Sequence, residues 1–594
     1  MTSDRTGWTG TILRIDLDQE TFNVLRPGDE VYHTFIGGKG LAGFFLRPHV
    51  TLPWDDPGMP LVICAGPLTG TAAPTSGRCT VMSRSPLTGA VADSSVGGRL
   101  GFALKRAGWD GIVITGRANR PCGIAITDDR VEITDASALW GKSTNEAFAR
   151  LARPDGSLAV IGPAAENGVA FASLIVDRHH AAGRTGIGCC FAVKQIKYLL
   201  VQGSGRVAIH DKEELLAARE EILRLTAASP ILTGRHGFSC FGTGSLYDLM
   251  DSRRMMPTDN FRKTHFSRAG ELNAHAYKTA FEPAKHGCMG CQIRCKKIAR
   301  RGTMAGRSMP EFETMSHFSA LIGNTDMHLV MQANQLCNDF GMDTISAAAT
   351  LACYREIENR PDLSAELLDL LGEIGGATTE RGRTLGQGSA RYAASRGQRE
   401  MSMSVKGLEL PAYDPRGACG MSLAYALSSR GGCHLRAYPV SHEILRKPVA
   451  TDRFTFSGKA RIIKIAEDQN AVIDSLIACK FIFFAAGLEE YARAFTAATG
   501  VMVSAQELLE TGERICYHER IMNAANGFTA ANDDLPARFF REGGSSGNAM
   551  EIRPLDREEF LAARARYYRI RGLDDHGLPT EEKTRQLGLQ WKHW

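Results

Sequence analysis

The sequence lacks a long hydrophobic run, a strong net charge and any polybasic segment. Its longest apolar stretch, FIFFAAGL at positions 481–488, is far shorter than the roughly 20 residues that a membrane-spanning helix needs. The 70 lysines and arginines outnumber the 65 aspartates and glutamates by only five in 594 residues, which excludes the composition of a nucleic-acid-binding protein. The first residues, MTSDRTGWTG, contain no apolar segment of a secretory signal. We therefore expect a cytoplasmic protein that binds neither membranes nor nucleic acid.

The sequence also shows no nucleotide-binding motif and no export signal of the kind that disulfide-bonded secreted proteins carry. None of the glycine-rich turns matches GxGxxG or a P-loop, so nucleotide binding is not supported. Without an export signal, the 15 cysteines are expected to be reduced thiols or metal ligands. Most of them, such as Cys64 and Cys353, lie alone in apolar stretches and are expected to fill the core.

The pattern along the chain predicts an α+β protein with three domains. Residues 1–203 are rich in glycine and in short strand patterns, whereas helical periodicity dominates after about residue 205. Proline and glycine cluster at GLELPAYDPRG (407–417), which favours a second boundary there. We expect an N-terminal β-rich domain (1–203) followed by two mainly α-helical domains (204–406 and 407–594). The segments that carry this prediction are strands in TILRIDL (11–17), LVICAG (61–66), GIVITG (111–116) and YLLVQG (198–203), and helices in 212–225, 361–375, 504–525 and 557–570.

A cluster of three cysteines is the strongest chemical motif. HGCMGCQIRCKK (286–297) places Cys288, Cys291 and Cys295 at C-x2-C-x3-C spacing, which suits both zinc and iron–sulfur ligation. No second C-x2-C and no H-x3-5-H follows nearby, so the pattern favours a [4Fe–4S] cluster with one distant ligand. Zinc, or no metal, stays open from these residues alone. His286 stands two residues before the first cysteine and is a poor fourth ligand.

Three distant cysteines are candidates for the fourth ligand: Cys337, Cys433 and Cys479. Cys479 is favoured because a phenylalanine-rich segment follows it directly. Such a segment can exclude water from a cluster and so keep its potential low.

The order of segments along the chain resembles one known family. Nine segments carry the resemblance from about residue 8 to about residue 545: IGGKGLAGFFL, GPLTGTAAPTSGR, SRSPLTG, GPAAENGVAFASLIVDRHHAAGRTGIG, HGCMGCQIRC, PEFETMSHFSALIGN, CNDFGMDTIS, RGGCHLRAY and DSLIACKF. They resemble the tungsten-containing aldehyde:ferredoxin oxidoreductases. The resemblance implies tungsten, or in principle molybdenum, held by the dithiolenes of two molybdopterins at the domain interface, with a Mg²⁺ ion between the pterin phosphates and one [4Fe–4S] cluster.

The resemblance also implies a role for individual residues. The cluster ligands fall on Cys288, Cys291, Cys295 and, as the fourth, Cys479. The pterin contacts fall on Arg78, Ser95, Gly97, Ala181, Gly183, Arg184, Asn338, Met342, Asp343, Arg430, Arg436 and Asp474. Aspartates can accept hydrogen bonds from the N–H-rich pterin edge, and arginines suit its phosphates and carbonyl.

Several positions depart from the family pattern. Asn338 replaces the usual first aspartate of D-x-x-G-L-D, which makes that pterin contact neutral. Ile477 and Ala478 replace Gly and Leu before the fourth cysteine, Ser95 stands for an asparagine, and His180 stands for an arginine. The fold and the cofactor class do not depend on these residues, but individual pterin contacts and substrate preference do.

Glu313 in PEFET and His434 in RGGCH match positions that the family places beside the open coordination sites of the metal. Without the resemblance, Glu313 would be taken for a carboxylate near a helix N-terminus and His434 for a core histidine. A histidine N–H can polarise a carbonyl oxygen, and a carboxylate in an apolar pocket can act as general base. His442 is a second, lower-ranked candidate.

The leading hypothesis is reversible oxidation of small aldehydes to carboxylic acids. Electrons would leave one at a time through the cluster to ferredoxin or to an iron–sulfur partner subunit, and the basic segment QIRCKKIARR (292–301) could attract such an acidic partner. Two alternatives stay open: the tungsten subunit of an aromatic acyl-CoA (benzoyl-CoA-type) reductase complex, and a non-catalytic electron-transfer subunit. The sequence leaves open a homo- or hetero-oligomer.

Overall fold

The first part of the chain forms two six-stranded mixed sheets. In the computed structural model, which describes residues 5–547 and 549–590, the first sheet has the spatial order β2-β1-β6-β3-β4-β5, with β1 and β6 parallel and the other neighbours antiparallel. Its strands are β1 (Ile12–Asp16), β2 (Thr21–Leu25), β3 (Leu61–Cys64), β4 (Cys79–Arg84), β5 (Val91–Val96) and β6 (Gly111–Thr115). The central β3 reads LVIC and is buried throughout, whereas the edge strand β2 is mostly exposed. A strand covered on both faces reads as a continuous apolar run, which explains this contrast.

The second sheet has the order β11-β10-β9-β12-β7-β8, with β12 parallel to β7. Its strands are β7 (Cys122–Thr127), β8 (Arg130–Asp135), β9 (Gly156–Ile161), β10 (Leu174–Val176), β11 (His180–Ala182) and β12 (Ile196–Gln202). Short helices connect the strands of both sheets: α1 (Asp29–Phe35), α2 (Gly38–Leu46), α3 (Leu100–Arg106), α4 (Thr144–Leu151), α5 (Pro163–Glu166) and α6 (Ile187–Ala192).

Helices dominate the rest of the chain. The middle part contains α7 (Lys212–Ala228), α8 (Pro230–Thr233), α9 (Phe238–Phe241), α10 (Tyr247–Ser252), α11 (Ala274–Phe281), α12 (Phe312–Ser316), α13 (Met327–Phe340), α14 (Thr344–Ile357), α15 (Leu367–Gly376), α16 (Glu380–Leu385) and α17 (Ser389–Ser395). The last part contains α18 (Cys419–Leu427), α19 (Val440–Glu443), α20 (Lys459–Leu476), α21 (Leu488–Thr499), α22 (Ala505–Ala525), α23 (Arg538–Arg541), α24 (Arg557–Arg571) and α25 (Glu581–Gln586). Two short hairpins lie between them: β13 (Ala284–His286) with β14 (Lys296–Ile298), and β15 (Ser404–Val405) with β16 (Leu408–Glu409).

The predicted order of a β-rich part followed by helical parts is confirmed. The strand predicted at 11–17 forms β1, which pairs with β2 in an antiparallel hairpin. Helix α22 begins where predicted, after a capping box in which Ser504 and Glu507 satisfy each other's backbone N–H. The helix predicted over 361–375 starts later, at Leu367, because Pro361 and the turn at Asp362 precede it.

The segment predicted as the second boundary, 407–417, is mostly buried. It contains β16 and then passes α12, where Ala412 N–H donates to Glu313 Oε2. Its prolines and glycines therefore lie in a segment that packs inside the protein. The division at residues 203 and 406 stays a prediction. Within the described residues, we find no helix that combines the length and the apolar character needed to cross a membrane.

Candidate active site and cluster-binding loop

The three clustered cysteines lie on the loop of a two-stranded hairpin. Strands β13 and β14 pair His286 with Lys296, and the loop between them carries Cys288, Cys291 and Cys295. The distant Cys479 precedes a short 3-10 turn that follows α20. All 15 cysteines are free. Burial raises the pKa of Cys291 to about 12, and the neighbouring thiols of Cys479 and Cys288 add to this rise. The tertiary structure therefore brings Cys479 to the loop.

The number of grouped thiols matches the ligand set of a cluster. Among residues 5–547 and 549–590, no three His, Cys, Asp or Glu side chains converge on one metal-ion position. A [4Fe–4S] cluster spreads its four thiolate ligands over separate iron corners. Four grouped thiols therefore fit the ligand number of such a cluster.

The loop packs on glycine turns of the first sheet. A Cβ atom at Gly97 would overlap the Cys288 sulfur, and one at Gly77 would overlap the carbonyl oxygen of Met289. The Met289 N–H donates to the Gly98 carbonyl at 3.0 Å. The absence of side chains at these glycines lets the cysteine loop approach the sheet closely.

Arg78 lies close to the thiols. Its Nε donates to Ser95 Oγ at 2.9 Å and its Nη2 to the Ser95 carbonyl at 2.7 Å. Burial lowers the pKa of Arg78, but the neighbouring side chains of Cys479, Cys288 and Asp474 outweigh this effect and raise it. Asp474 in turn accepts from Lys480 Nζ at 2.5 Å. Three predicted pterin contacts (Arg78, Ser95 and Asp474) therefore meet beside the cysteines, and the departure at Ser95 retains an acceptor for Arg78.

A second group of predicted residues lies between α13 and α14. Helix α13 ends at Gly341, whose φ of 73° is the left-handed conformation that favours glycine. Asp343 then caps α14 by accepting from Ile345 N at 3.1 Å and Ser346 N at 3.3 Å. The Asp343 carboxylate also lies 3.1 Å from Arg184 Nε. Arg184 Nη2 donates to the carbonyls of Glu409 at 2.6 Å and Gly432 at 3.3 Å, so this side chain joins all three parts of the chain.

Four further predicted contacts lie near this group with different environments. Asn338 Nδ2 donates to Asn334 O of its own helix at 2.8 Å, and Asn338 lines a small pocket that is open to solvent. Met342 is buried and pairs with Ala172. Ala181 is exposed, and a Cβ at Gly183 would meet nothing nearer than 4.0 Å, so space lies open beside β11.

Arg430 and Arg436 are held by buried protein groups. Arg436 bonds both oxygens of Asp93 and, through Nε, Ser429 Oγ at 3.1 Å. Arg430 donates to the Asp93 carbonyl at 2.6 Å and to Cys433 Sγ at 2.9 and 3.2 Å. Burial opposes ionisation, but the charges of Arg436, Lys39 and Arg430 hold the pKa of Asp93 far below its usual range. The two arginines thus anchor the loop that carries His434.

Glu313 and His434 lie side by side. Glu313 stands in the first turn of α12, and its Oε2 accepts from Ala412 N–H at 2.7 Å. Its Oε1 is 3.4 Å from His434 Nε2, and the side chains expose only 15% and 14%. Burial raises the pKa of Glu313 to about 8, against the pull of Ala412 N–H and Arg184. Burial, with Arg184 and Arg430, lowers the pKa of His434 well below its usual value.

The pair leaves buried polar atoms without partners. Within the described residues, Glu313 Oε1, His434 Nδ1 and His317 Nδ1 have no hydrogen bond. Buried polar atoms are nearly always paired, so unpaired ones in one place indicate a polar ligand. The ring of Tyr413 lies 5.4 Å from that of His434, and Tyr413 is 5.6 Å from Tyr438, which gives the site an aromatic wall. These features fit a metal–pterin group and a carbonyl substrate.

Some site residues were missed and one prediction is not brought to the site. His442 Nδ1 lies 3.0 Å from the Val449 carbonyl on an exposed turn, away from the Glu313–His434 pair. His317 was missed, although it stands four residues after Glu313 and a helical count would have placed both on one face. Asp93 was also missed, because its role depends on arginines more than 330 residues away.

Two family profiles match this chain, one over the part with the two sheets and one over the helical part. The family profile described as "Aldehyde ferredoxin oxidoreductase, domains 2 & 3" matches residues 217–589, and the profile of the N-terminal domain of that family matches residues 12–203. The chain belongs to the aldehyde ferredoxin oxidoreductase family. The two matches together cover both the sheets and the helices, and membership of this family supports an oxidoreductase.

Relatives of this family cover nearly the whole chain. The chain is 37% identical to a tungsten-containing aldehyde ferredoxin oxidoreductase of Thermococcus kodakarensis and 36% identical to one of Pyrococcus furiosus, each over 98% of both chains. It is 26% identical to the WOR-like subunit of an aliphatic sulfonate oxidoreductase of Pyrococcus furiosus, over 98% of this chain and 97% of that one. The solved structure of the active site complex BamBC of benzoyl coenzyme A reductase shares the fold, with a TM-score of 0.82 at 22% identity over 98% of this chain and 97% of that chain.

The packing at Gly97 generates a test of the cluster loop. We expect Gly97→Ala to displace Cys288, because the added methyl group would overlap its sulfur. Iron content and the absorbance of the purified protein near 400 nm should fall by more than half. Gly270→Ala is the matched control, because a Cβ there meets nothing within 4 Å. Full iron content in Gly97→Ala would contradict the placement of this loop.

Proposed function

We propose that the protein is a tungsten–bis-pterin oxidoreductase that reversibly oxidises aldehydes to carboxylic acids. Electrons would leave one at a time through a [4Fe–4S] cluster to ferredoxin or an iron–sulfur partner subunit. The observation that carries this proposal is the buried Glu313–His434 pair, in which Glu313 Oε1 and His434 Nδ1 have no hydrogen-bond partner among the described residues. The names of the tungsten-containing relatives and the grouped cysteines support it.

The cofactors would be held by residues of all three parts of the chain. Cys288, Cys291, Cys295 and Cys479 would ligate the cluster, with Arg78 between cluster and pterin. The remaining proposed pterin contacts are Ser95, Gly97, Ala181, Gly183, Arg184, Asn338, Met342, Asp343 and Asp474, with Arg430 and Arg436 supporting the loop behind them. A Mg²⁺ ion would join the pterin phosphates. The bound metal, tungsten or molybdenum, would supply the two-electron oxidation and the cluster its one-electron exit.

The two side chains have complementary proton chemistry. His434 is uncharged at neutral pH because burial and two arginines oppose its protonation, so a ring N–H can donate to the aldehyde oxygen without a net charge. Burial raises the pKa of Glu313 to about 8, which suits a general base that removes a proton as the carbonyl carbon gains oxygen. The 3.4 Å separation lets both atoms contact one small substrate group.

The benzoyl-CoA-type reductase alternative rests on the likeness in fold alone, since the solved relative is 22% identical. The close Glu313–His434 pair supports the aldehyde reaction instead, because that reaction needs both a base and a carbonyl donor.

Metal analysis and turnover test the proposal together. We expect about one tungsten and about four iron atoms per chain, with reduction of a viologen dye that depends on added aldehyde. Iron without tungsten or molybdenum would refute it and support an electron-transfer subunit. Dye-coupled turnover of an aromatic acyl-CoA, with none of aldehydes, would support the reductase alternative.

Substitutions of the pair test their roles. We expect Glu313→Gln and His434→Ala each to keep the metals and to lower kcat by about 10²–10⁴-fold, the range for a lost general base or carbonyl donor. His442→Ala is the matched control, because its ring bonds only to an exposed turn and should leave turnover unchanged. Wild-type rates in both site variants would exclude the assigned roles.

An acidic iron–sulfur protein fits the surface over the cysteine loop. Met289 at the tip of the loop is 39% exposed. Four exposed basic side chains flank it on the hairpin and the segment that follows: Lys285, Arg294, Arg300 and Arg301. Of these, Arg301 pairs with Glu282 at 2.9 Å. Opposite charge on a partner would steer it to the side of the molecule where the thiols lie nearest to solvent.

Charge reversal tests this surface. We expect Lys285→Glu with Arg301→Glu to raise KM for an acidic ferredoxin about tenfold and to weaken its dependence on salt, since rim charges act on association. Aldehyde-dependent reduction of a small viologen should not change. Arg569→Glu on the exposed face of α24 is the control. Equal KM values for all three proteins would exclude this face as the docking surface.

A further inference from the structure

A fully buried histidine lies on the same short helical segment as Glu313. His317 has no exposed surface. Its Nε2 is 3.1 Å from the Leu410 carbonyl oxygen. Burial lowers the pKa of His317 to about 4, so the ring is neutral at physiological pH. A carbonyl oxygen can only accept, so Nε2 carries the single ring hydrogen and Nδ1 is bare.

The backbone around His317 is unusual. Helix α12 changes into a π-helical turn at His317–Leu321. Such turns insert an extra residue into an α-helix, cost hydrogen-bond geometry and occur mostly at functional sites. Here the change begins directly at His317, one turn after Glu313. The π-helical turn therefore sets the direction in which the His317 side chain projects from the helical segment that carries Glu313, the proposed base.

His317 and Glu313 hold the same piece of chain. We call residues 410–413 the strap. Its first carbonyl, at Leu410, accepts from His317, and the N–H of its third residue, Ala412, donates to Glu313 Oε2 at 2.7 Å. Pro411 stands between them and fixes its own φ, so the two contacts are coupled through a stiff connection.

The far end of the strap contacts the other member of the pair. The Tyr413 ring lies 5.4 Å from the His434 ring, and the Tyr413 hydroxyl accepts from Tyr438 at 3.1 Å. The Tyr413 carbonyl accepts from Tyr425 at 3.0 Å. The strap therefore contacts Glu313, His434 and His317.

We propose that His317 is a positioning residue: by donating to the Leu410 carbonyl, it fixes the strap so that Ala412 N–H holds Glu313 Oε2 and leaves Oε1 facing His434. The effect of His317 on the strap is a property of the protein itself. Its effect on turnover rests on the proposed aldehyde oxidation.

The charge state of Glu313 follows from its surroundings. The Ala412 N–H stabilises the carboxylate and so lowers a pKa that burial raises to about 8. The charged and titratable groups that face Glu313 from the elements around it are Arg184, Asp343, Cys433, His434, Tyr413, Tyr425 and Tyr438. Loss of the Ala412 contact removes one donor to the carboxylate. The pKa of Glu313 should then rise, and the carboxylate should form only at higher pH.

Two substitutions separate the hydrogen bond from the bulk of the ring. Glutamine can place its Nε2 amide near the position of the imidazole Nε2, whereas leucine has no donor. Ser316→Ala is the matched control, because Ser316 is the preceding buried residue and donates to Met256 Sδ at 3.0 Å, away from the strap. All three variants are compared with the wild type as holoenzymes of measured metal content.

Hydrogen–deuterium exchange and pH profiles give independent readouts. We expect His317→Leu to raise exchange in the peptide covering 408–414 about tenfold and to move the ascending limb of kcat/KM to higher pH by about one unit. His317→Gln and Ser316→Ala should match the wild type in both. Wild-type exchange and pH midpoint in His317→Leu would overturn the proposal. So would a His317→Gln protein as altered as His317→Leu.

The outcomes also separate this proposal from the proposed function. If His317→Leu does not fold or does not load metal, the test uses His317→Gln alone. A shifted pH midpoint or faster exchange of the strap in His317→Gln then overturns the positioning role. Should the wild type oxidise no aldehyde, the proposed function fails, and the exchange of the strap still tests what His317 holds.

Discussion

The Arg184 guanidinium is the interaction on which the geometry of the site depends. It comes from the end of the second sheet, pairs with Asp343 at the start of α14, and donates to the Glu409 and Gly432 carbonyls in the later part of the chain. A guanidinium presents several donors in a rigid plane, so one side chain can bind groups from separate segments at once. Its charge also acts on Glu313 and His434. The same residue therefore assembles the site and sets its electrostatics.

The buried charges that support the loop of His434 are paired with one another. Asp93, Arg436 and Glu519 form a network to which Lys39 adds a contact with Glu519 at 2.9 Å. Breaking such a network leaves an uncompensated buried charge, which costs several kcal/mol, on the order of 3–5. The loop that carries His434 is thus held in place by charge pairing with β5 and α22. Rigid support of this kind keeps the proposed catalytic side chains in one orientation.

The departures from the family pattern have physical explanations at two positions. Ile477 ends α20 with φ of 62°, a left-handed conformation that β-branched residues rarely adopt. Its side chain packs against two glycines, since a Cβ at Gly38 would lie 2.6 Å from it and one at Gly66 would lie 2.8 Å from it. The packing of the buried isoleucine side chain offsets the free-energy cost of this backbone conformation. At Asn338 the amide donates within its own helix, so the lost carboxylate is not replaced by another charge.

Local patterns and short motifs are enough to predict part of this protein. They predict the order of strands before helices, the cysteine loop with Cys479 as its favoured distant partner, and, through the resemblance, the segments that carry Glu313 and His434. Other contacts between distant groups are seen only in the folded chain. The Asp93 contacts with two arginines and the contacts of the strap with His317 and Glu313 join residues that are far apart in the chain. Periodicity reports only which face of an element is buried, whereas these contacts depend on how whole elements pack.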